Sequence, residues 1–128
     1  MNTKFIMTVS AIFLAILGIA LTFFPREIAE VSGISTSKPF QLLLQVVGAL
    51  YFSFAMLNWM AKGAIIGGIY NRPIALANFT HFFIVTLALL KAIIDTNLLY
   101  NIWWIAVLCL IFAVWFGFIL FRSPPESR

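Results

Sequence analysis

Four apolar stretches of membrane-spanning length occupy most of this chain of 128 residues. A helix rises about 1.5 Å per residue, so about 20 residues cross a hydrocarbon layer roughly 30 Å thick. The sequence therefore predicts an all-α integral membrane protein, folded as an antiparallel bundle of four transmembrane helices. The predicted spans cover about residues 5–24, 40–60, 74–94 and 102–121.

The composition agrees with a membrane rather than a soluble protein. Hydrophobic residues make up 63% of the chain and charged residues only 9%, whereas soluble domains are about half apolar and about a quarter charged. A soluble domain of this size has too little interior to bury so much apolar surface. We therefore expect a single four-helix membrane domain over residues 1–128, with a disordered tail at 122–128.

The charges predict an orientation in the membrane. Eight Lys and Arg outnumber four acids and are scattered near the span ends, whereas nucleic-acid binding needs cations clustered on one face, so we expect no nucleic-acid partner. Loops rich in Lys and Arg stay cytoplasmic. The side with both termini and the middle connection has more cations, namely Lys4, Lys62, Arg72, Arg122 and Arg128. This predicts a multi-pass protein of a bacterial inner membrane with both termini in the cytoplasm.

The first connection, from Pro25 to Pro39, is the longest and contains a helical pattern. Proline suits the first turn of a helix, and Ile28, Val31 and Ile34 then recur at a spacing of three. We expect a short helix that lies on the outer surface through these apolar residues and ends in a polar turn.

Small residues predict how the spans pack. Lipid gives apolar helices no hydrophobic reason to associate, so close approach at small residues matters more. Each span has a stripe of mostly small or polar residues at spacings of three and four, which we expect to face its neighbours, with Leu, Ile and Phe facing lipid. The fourth stripe is the least polar, which favours a peripheral position for that span. The stripes are Thr8, Ala11, Ala15, Gly18 and Thr22; Gln41, Gln45, Gly48, Phe52, Ala55 and Trp59; Asn78, His81, Val85, Ala88 and Ala92; and Ala106, Cys109, Ala113 and Gly117.

Polar side chains within spans are costly in lipid and are candidates for function. His81 and Asn78 share one face of the third span, and Asn58 lies near the inner end of the second. Arg72 and Tyr70 border the same end from the middle connection. The functional interpretation is a small ligand-binding pocket open to the cytoplasm, in which these residues orient a polar head group. The alternative is interhelical hydrogen bonding, which contributes about 0.6 kcal/mol per contact.

No catalytic residue, metal site or cofactor site is expected. His81 is a candidate for proton transfer because imidazole titrates near neutral pH, but it has no second histidine or carboxylate nearby to complete a zinc site. Cys109 is expected to be a packing residue, since no basic neighbour would activate its thiol. No acid lies in mid-membrane, which counts against a proton-coupled exporter, and no Cys-x-x-Cys pair is present.

A second polar group lies at the opposite end of the spans. Lys91 and Asp95 are four residues apart, a spacing at which side chains pair on a helix. Gln41 and Gln45 lie one turn apart in the second span. We expect an interfacial salt bridge between the charged pair, with the glutamines tying the second span to the third.

Several motifs have a familiar arrangement. They are an early glycine and proline, Gly18 and Pro25; the run Gln45-Val46-Val47-Gly48-Ala49-Leu50; the run Gly67-Gly68-Ile69-Tyr70-Asn71-Arg72-Pro73; and Asn78 with His81. In these motifs the chain resembles the DoxX-like group of small bacterial four-helix membrane proteins. The resemblance implies a membrane protein of a kind that in some members accompanies quinol or redox systems, and it assigns no catalytic residue.

Three functions remain open at this point. The leading hypothesis is a non-enzymatic inner-membrane protein that binds a lipid-like or isoprenoid small molecule, or a partner subunit. The second is a small transporter or channel subunit in which His81, Asn78 and Asn58 line a polar path at the cytoplasmic end. The third is a quinone-linked redox accessory subunit. The expected partners are membrane lipid, a small hydrophobic ligand, and a further copy of the chain or another membrane protein.

Overall fold

The computed structural model describes residues 2–64, 70–95 and 103–122. These ranges contain helices and turns and no strand. Four of the helices are long and apolar enough to cross a membrane, which confirms the expected class of an all-α helical membrane protein. The helices are α1 (Thr3–Phe23), α2 (Pro25–Val31), α3 (Lys38–Ala61), α4 (Arg72–Asp95) and α5 (Trp103–Phe121).

The chain divides into two compact units. One unit is Met7–Ala61, and the other combines Met1–Ile6 with Lys62–Arg128. The expectation of one four-helix domain therefore stays a prediction. The predicted disordered tail lies outside the described residues except for Arg122.

Three of the helices are preceded by a polar residue that accepts hydrogen bonds from backbone N–H groups of the first turn. The side-chain oxygen of Asn2 accepts a hydrogen bond from the backbone N–H of Phe5 at 3.4 Å, and Ser37 accepts one from Phe40 at the same distance. Asn71 precedes α4, and its backbone carbonyl accepts hydrogen bonds from N–H groups of the first turn. Asn and Ser are preferred at these positions because they satisfy amides that have no partner within the helix.

The short helix expected in the first connection is present as α2, and a glycine ends it. Gly33 has φ of 70°, in the left-handed region that glycine adopts without strain. Its N–H donates to the carbonyl of Glu30 at 3.1 Å, and the N–H of Ile34 donates to Ala29 at 3.0 Å. This pair of bonds is a Schellman motif, which satisfies carbonyls at the end of the helix. The predicted polar turn is thus confirmed.

The buried side of α2 is formed by residues outside the apolar repeat. Pro25 and Ala29 are buried, whereas Val31 is exposed. Only small side chains pack inward here, so the larger apolar residue points away from the unit. On the exposed side, Arg26 donates a hydrogen bond to Glu30 at 2.8 Å, and this bond raises the pKa of Arg26 above its ordinary value.

In the unit Met7–Ala61, α1 and α3 touch through their backbones at two glycines. A Cβ atom on Gly18 would lie 2.9 Å from the carbonyl oxygen of Gly48, and one on Gly48 would lie 2.8 Å from the carbonyl oxygen of Gly18. Cβ atoms do not approach backbone atoms so closely, so only glycine fits at either position. Such contacts between small residues are the usual means of packing helices in lipid.

Two side-chain contacts show that α1 and α3 run antiparallel. The amide of Gln45 donates to the carbonyl of Thr22 at 3.3 Å, near the end of α1 and the beginning of α3. At the other end, the amide of Asn58 donates to the hydroxyl of Ser10 at 3.1 Å. The first contact ties the second span to the first through this glutamine, and the expected tie to the third span stays a prediction.

The buried face of α3 is rotated from the predicted stripe at its C-terminal end. Gly48 and Ala55 are buried as expected, but Phe52 and Trp59 are exposed. Asn58 takes the inward position that the sequence assigned to the tryptophan. Phe52 nevertheless lies at the contact with α1, since a Cβ on Gly18 would be 2.7 Å from the backbone N of Phe52 and 3.0 Å from its Cβ.

The buried face of α1 combines small and large residues. Ala11 and Gly18 are buried, as the predicted stripe requires, but Met7, Ser10 and Leu14 are also fully buried. Positions 7, 10, 14 and 18 repeat at spacings of three and four, so the periodicity is right. The prediction that small residues alone form this face was too narrow.

The second unit contains α4 and α5, which pack through phenylalanines. The ring of Phe82 stacks on Phe112 with centroids 4.9 Å apart and on Phe116 at 5.8 Å. Phe79 contacts Phe121 at 6.1 Å. Phe82 comes later in α4 than Phe79 but contacts residues that come earlier in α5, so the two helices run antiparallel. The expectation that phenylalanines face lipid is wrong for Phe82, Phe112 and Phe116, which are buried.

The expected peripheral position of the fourth span in a four-helix bundle stays a prediction. Among the four long helices, α5 buries the largest share of its apolar window, 39%. Its predicted stripe is confirmed, since Ala106, Cys109, Ala113 and Gly117 are all buried. Phe112 and Phe116 add to that face and explain its extent. On α4 the buried face is Ala75, Asn78, Phe82 and Thr86, whereas the predicted Ala88 is exposed.

Candidate functional site

Two arginines lie at one end of the α4–α5 pair. Arg72 is the first residue of α4, and Arg122 directly follows Phe121, the last residue of α5. Because these helices are antiparallel, the start of α4 and the end of α5 lie at the same end of the pair. Pro73 follows the first arginine, where its fixed φ suits a first helical turn. The N–H of Arg122 donates to the carbonyl of Phe118 at 3.0 Å, which extends the helical bonding through this arginine.

Beside these arginines, the ring of Phe79 is held between neighbours. It stacks on Phe83 with centroids 5.6 Å apart and meets Phe121 edge to face at 6.1 Å and 81°. It also covers Gly117, where an added Cβ would lie 3.2 Å from Cε2 of the ring. The absence of a side chain at position 117 thus allows the ring to lie directly on α5.

Two open grooves adjoin this aromatic group. The larger has a volume of about 730 Å³, the smaller about 590 Å³, and both are lined mainly by apolar surface. Phe121 borders both of them, and each has one arginine at its border. The larger groove is lined by Val114, Gly117, Phe118, Phe121 and Arg122, and the smaller by Arg72, Pro73, Leu76, Phe79, Leu120 and Phe121.

The guanidinium groups at the grooves are open to a ligand. Arg72 and Arg122 are both exposed. Within residues 2–64, 70–95 and 103–122, neither forms an ion pair with a carboxylate; the ion pair found there joins Arg26 to Glu30. A guanidinium binds carboxylate or phosphate through two parallel hydrogen bonds. The arrangement therefore combines apolar grooves with two anion-binding groups.

Asn78 and His81, predicted as ligand-binding residues, lie deeper in the same unit. Asn78 is fully buried, and its amide donates to the carbonyl of Ile74 at 2.9 Å. His81 is half-buried, and its ring meets that of Phe82 edge to face at 5.2 Å. Neither residue lines the two grooves.

Asn58, the third polar residue predicted within a span, belongs to the other unit. It is fully buried and donates to the hydroxyl of Ser10 at 3.1 Å, and that hydroxyl donates to the carbonyl of Met7 at 3.0 Å. This is the interhelical hydrogen bonding that the alternative interpretation predicts. A pocket shared by this asparagine with the residues of α4 stays a prediction.

Tyr70 and Arg72 are two residues apart in the chain, the tyrosine in the turn before α4 and the arginine at its first position. The tyrosine is 95% exposed and the arginine is also exposed. Of the five predicted site residues, Arg72 is the one that borders a groove. The salt bridge expected at the opposite end of α4 is wrong, because no ion pair joins the described residues Lys91 and Asp95.

Phe79, Phe121 and Arg122 border the grooves but are not among the five predicted site residues. From the sequence, Arg122 was interpreted only as a flanking charge and Phe121 as the end of a span. The available signal was an aromatic–basic pair at the end of the fourth span, opposite an Arg-Pro pair at the beginning of the third. An antiparallel alignment of these two spans would have placed both pairs at one end.

A comparison of this chain with protein-family models, curated proteins and solved structures finds no match.

Proposed function

We propose that this chain is a non-enzymatic, multi-pass inner-membrane protein that binds an anionic lipid-like molecule at one end of the α4–α5 pair. The observation that carries this proposal is the combination of open apolar grooves with exposed arginines. A groove of about 730 Å³ borders Arg122, and one of about 590 Å³ borders Arg72. Small-molecule sites typically measure about 300–1,000 Å³ and are mostly apolar, with a few polar groups that fix orientation.

The position of the arginines favours a lipid over a water-soluble anion. Arg72 and Arg122 lie at the ends of helices long enough to span a membrane, where long basic side chains reach the head-group region. Apolar grooves that continue from that level suit hydrocarbon chains. A phosphate or carboxylate head group would be bound by the guanidinium groups while the chains lie along the helices.

The proposed orientation agrees with this ligand. With both termini in the cytoplasm, the start of α4 and the end of α5 lie at the cytoplasmic leaflet. That leaflet has a negative surface potential from anionic lipids, and basic pockets between spans on this side bind their head groups. The charge distribution and the candidate site thus support the same side of the membrane.

The proposal includes a relationship to the DoxX-like group. One of the runs that carries this resemblance, from Gly67 to Pro73, ends in Arg72 and Pro73. Both of these residues border the smaller groove. The motif and the candidate site therefore share residues, which supports considering them together.

Within this proposal the five predicted site residues have different roles. Arg72 binds the head group, and Tyr70, two residues before it, lies at the water interface. Asn58 joins α3 to α1 through its hydrogen bond to Ser10. Asn78 and His81 contact Ile74 and Phe82 of their own helix. Neither Asn78 nor His81 lines the two grooves, which supports this division.

Lipid-dependent thermal unfolding in detergent tests the proposal. Phosphatidylglycerol should raise the melting temperature of the wild-type protein more than zwitterionic phosphatidylcholine does. Saturation at about 100 times Kd stabilises a protein by about 2.7 kcal/mol. The double variant R72Q/R122Q should lose the difference between the two lipids.

A matched double variant controls for the loss of two charges. K38Q/K91Q changes two exposed cations that border neither groove, and it should keep the preference for phosphatidylglycerol. Equal stabilisation of the wild-type protein by both lipids would contradict the proposal. Loss of the preference to the same degree in both double variants would also contradict the proposal.

A further inference from the structure

The two grooves adjoin the same side chain, and this arrangement bears on the number of chains in the ligand. Phe121 borders both grooves and is 75% exposed, and we take its ring as the wall that they share. The ring contacts Phe79 at 6.1 Å, and that ring in turn stacks on Phe83. These contacts fix the position of the wall on the α4–α5 pair.

We propose that the ligand is a two-chain phospholipid with an anionic head group, whose hydrocarbon chains lie on either side of Phe121. This inference rests on the proposed function and specifies its ligand. The two chains of a phospholipid are joined at one end, so they can enter neighbouring grooves together. The phosphate then lies at the level of Arg72 and Arg122, one of which borders each groove.

A single-chain anion fits the same surface less completely. It would occupy one groove, leave the apolar lining of the other uncovered, and face one arginine. A two-chain lipid covers both linings and places one negatively charged head group near two cations. Phosphate also accepts hydrogen bonds from more than one guanidinium, since its oxygens are distributed around phosphorus.

Competition between lipids with the same head group tests this inference. Dioleoyl-phosphatidylglycerol and oleoyl-lysophosphatidylglycerol differ in chain number, and each would compete with a fluorescent phosphatidylglycerol for the detergent-solubilised full-length protein. The two-chain lipid should bind the wild-type protein about tenfold more tightly or better, because the second chain adds apolar contacts. Phosphatidylcholine with two oleoyl chains serves as the neutral reference.

Variants at position 121 test the role of the wall. Phe121→Ala should reduce the preference for the two-chain lipid to about threefold or less, since fewer contacts separate and line the grooves. Phe121→Leu keeps an apolar wall and should retain most of the preference. Phe23→Ala is the matched control, because Phe23 is also the last residue of a long helix and is 71% exposed; it should bind both lipids as the wild-type protein does.

The outcomes separate this inference from the proposed function. If the wild-type protein binds one-chain and two-chain phosphatidylglycerol equally, and both better than phosphatidylcholine, the two-chain inference is overturned and the proposed function stands. If phosphatidylcholine binds as tightly as the one-chain or the two-chain phosphatidylglycerol, the proposed function itself fails. If Phe121→Ala melts as the wild-type protein does and keeps the full preference, the position assigned to the chains is wrong.

Discussion

Phe79 of α4 lies directly on Gly117 of α5, where a Cβ atom would be 3.2 Å from Cε2 of the ring. The ring cannot move away freely, because Phe83 stacks on one part of it and Phe121 meets its edge. This contact brings the two helices together beside the grooves. Its tolerance to a single methyl group can be measured.

The substitution Gly117→Ala should lower the free energy of unfolding by about 1–3 kcal/mol, the usual effect of overpacking. Gly63→Ala is the control, because no atom lies within 4 Å of a Cβ at that position. Reversible unfolding in mixed detergent micelles measures both. If Gly117→Ala has the same free energy of unfolding as the wild-type protein, the close packing of Phe79 on α5 is contradicted.

The contact between Gly18 and Gly48 should be less tolerant still. An added Cβ would meet backbone atoms at 2.7–2.9 Å there, and backbone atoms cannot change rotamer to make room. We therefore expect Gly18→Ala and Gly48→Ala each to cost more stability than Gly117→Ala. The same unfolding measurement ranks the three variants, and an inverse ranking would contradict the geometry of the α1–α3 contact.

Asn58 and Ser10 should show a measurable but small coupling. Interhelical hydrogen bonds in a membrane protein average about 0.6 kcal/mol and reach about 1.7 kcal/mol. A double-mutant cycle with Asn58→Ala and Ser10→Ala should give a coupling energy in that range. Ser53→Ala provides a comparison, since the hydroxyl of Ser53 is exposed and bonds only to the carbonyl of Ala49 in its own helix. The coupling energy between Ser53→Ala and Asn58→Ala should be close to zero. Equal coupling energies for the Ser10 and Ser53 cycles would contradict the hydrogen bond between Asn58 and Ser10.

Phe82 should be the most costly aromatic residue of α4 to truncate. It is fully buried and stacks on both Phe112 and Phe116. Phe82→Ala should cost roughly 2 kcal/mol or more, because stacking contacts are lost and a cavity remains. Leu87→Ala on the same helix is the control, since Leu87 is half-exposed and its loss is compensated by lipid or detergent. Equal costs for the two variants would contradict the buried position of the ring.

The number and bounds of the long helices were predictable because the signal is strong and local. A run of apolar residues of membrane-spanning length has few alternatives, and polar or proline residues end it. The second span was predicted at residues 40–60 and is found at Lys38–Ala61. The short helix α2 was predictable for the same local reason, since Pro25 begins it and Gly33 follows its end.

The identity of the inward residues was less predictable. Neighbouring positions on a helix differ by about 100°, so a stripe of small residues can be drawn one position away from the true one. Trp59 and Asn58 illustrate this, because both positions fit a spacing of three or four after Ala55. The contact with Ser10 decides between them, and that contact depends on the pairing of two helices.

The candidate site was predictable only in part, since it depends on residues distant in sequence. Arg72 was identified because it stands beside a span, but its grouping with Arg122 required the antiparallel pairing of α4 and α5. The grooves depend further on the side-chain positions of Phe79 and Phe121. Apolar residues at a span end are common, so their presence alone did not indicate a binding surface.

Native mass spectrometry of the protein, gently extracted from its membrane, tests the central claim most directly. The wild-type protein and K38Q/K91Q should each retain an anionic two-chain phospholipid, and R72Q/R122Q should lose it while keeping its helical content. Retention of the same lipid in the same amount by R72Q/R122Q would contradict the claim that these two arginines bind its head group.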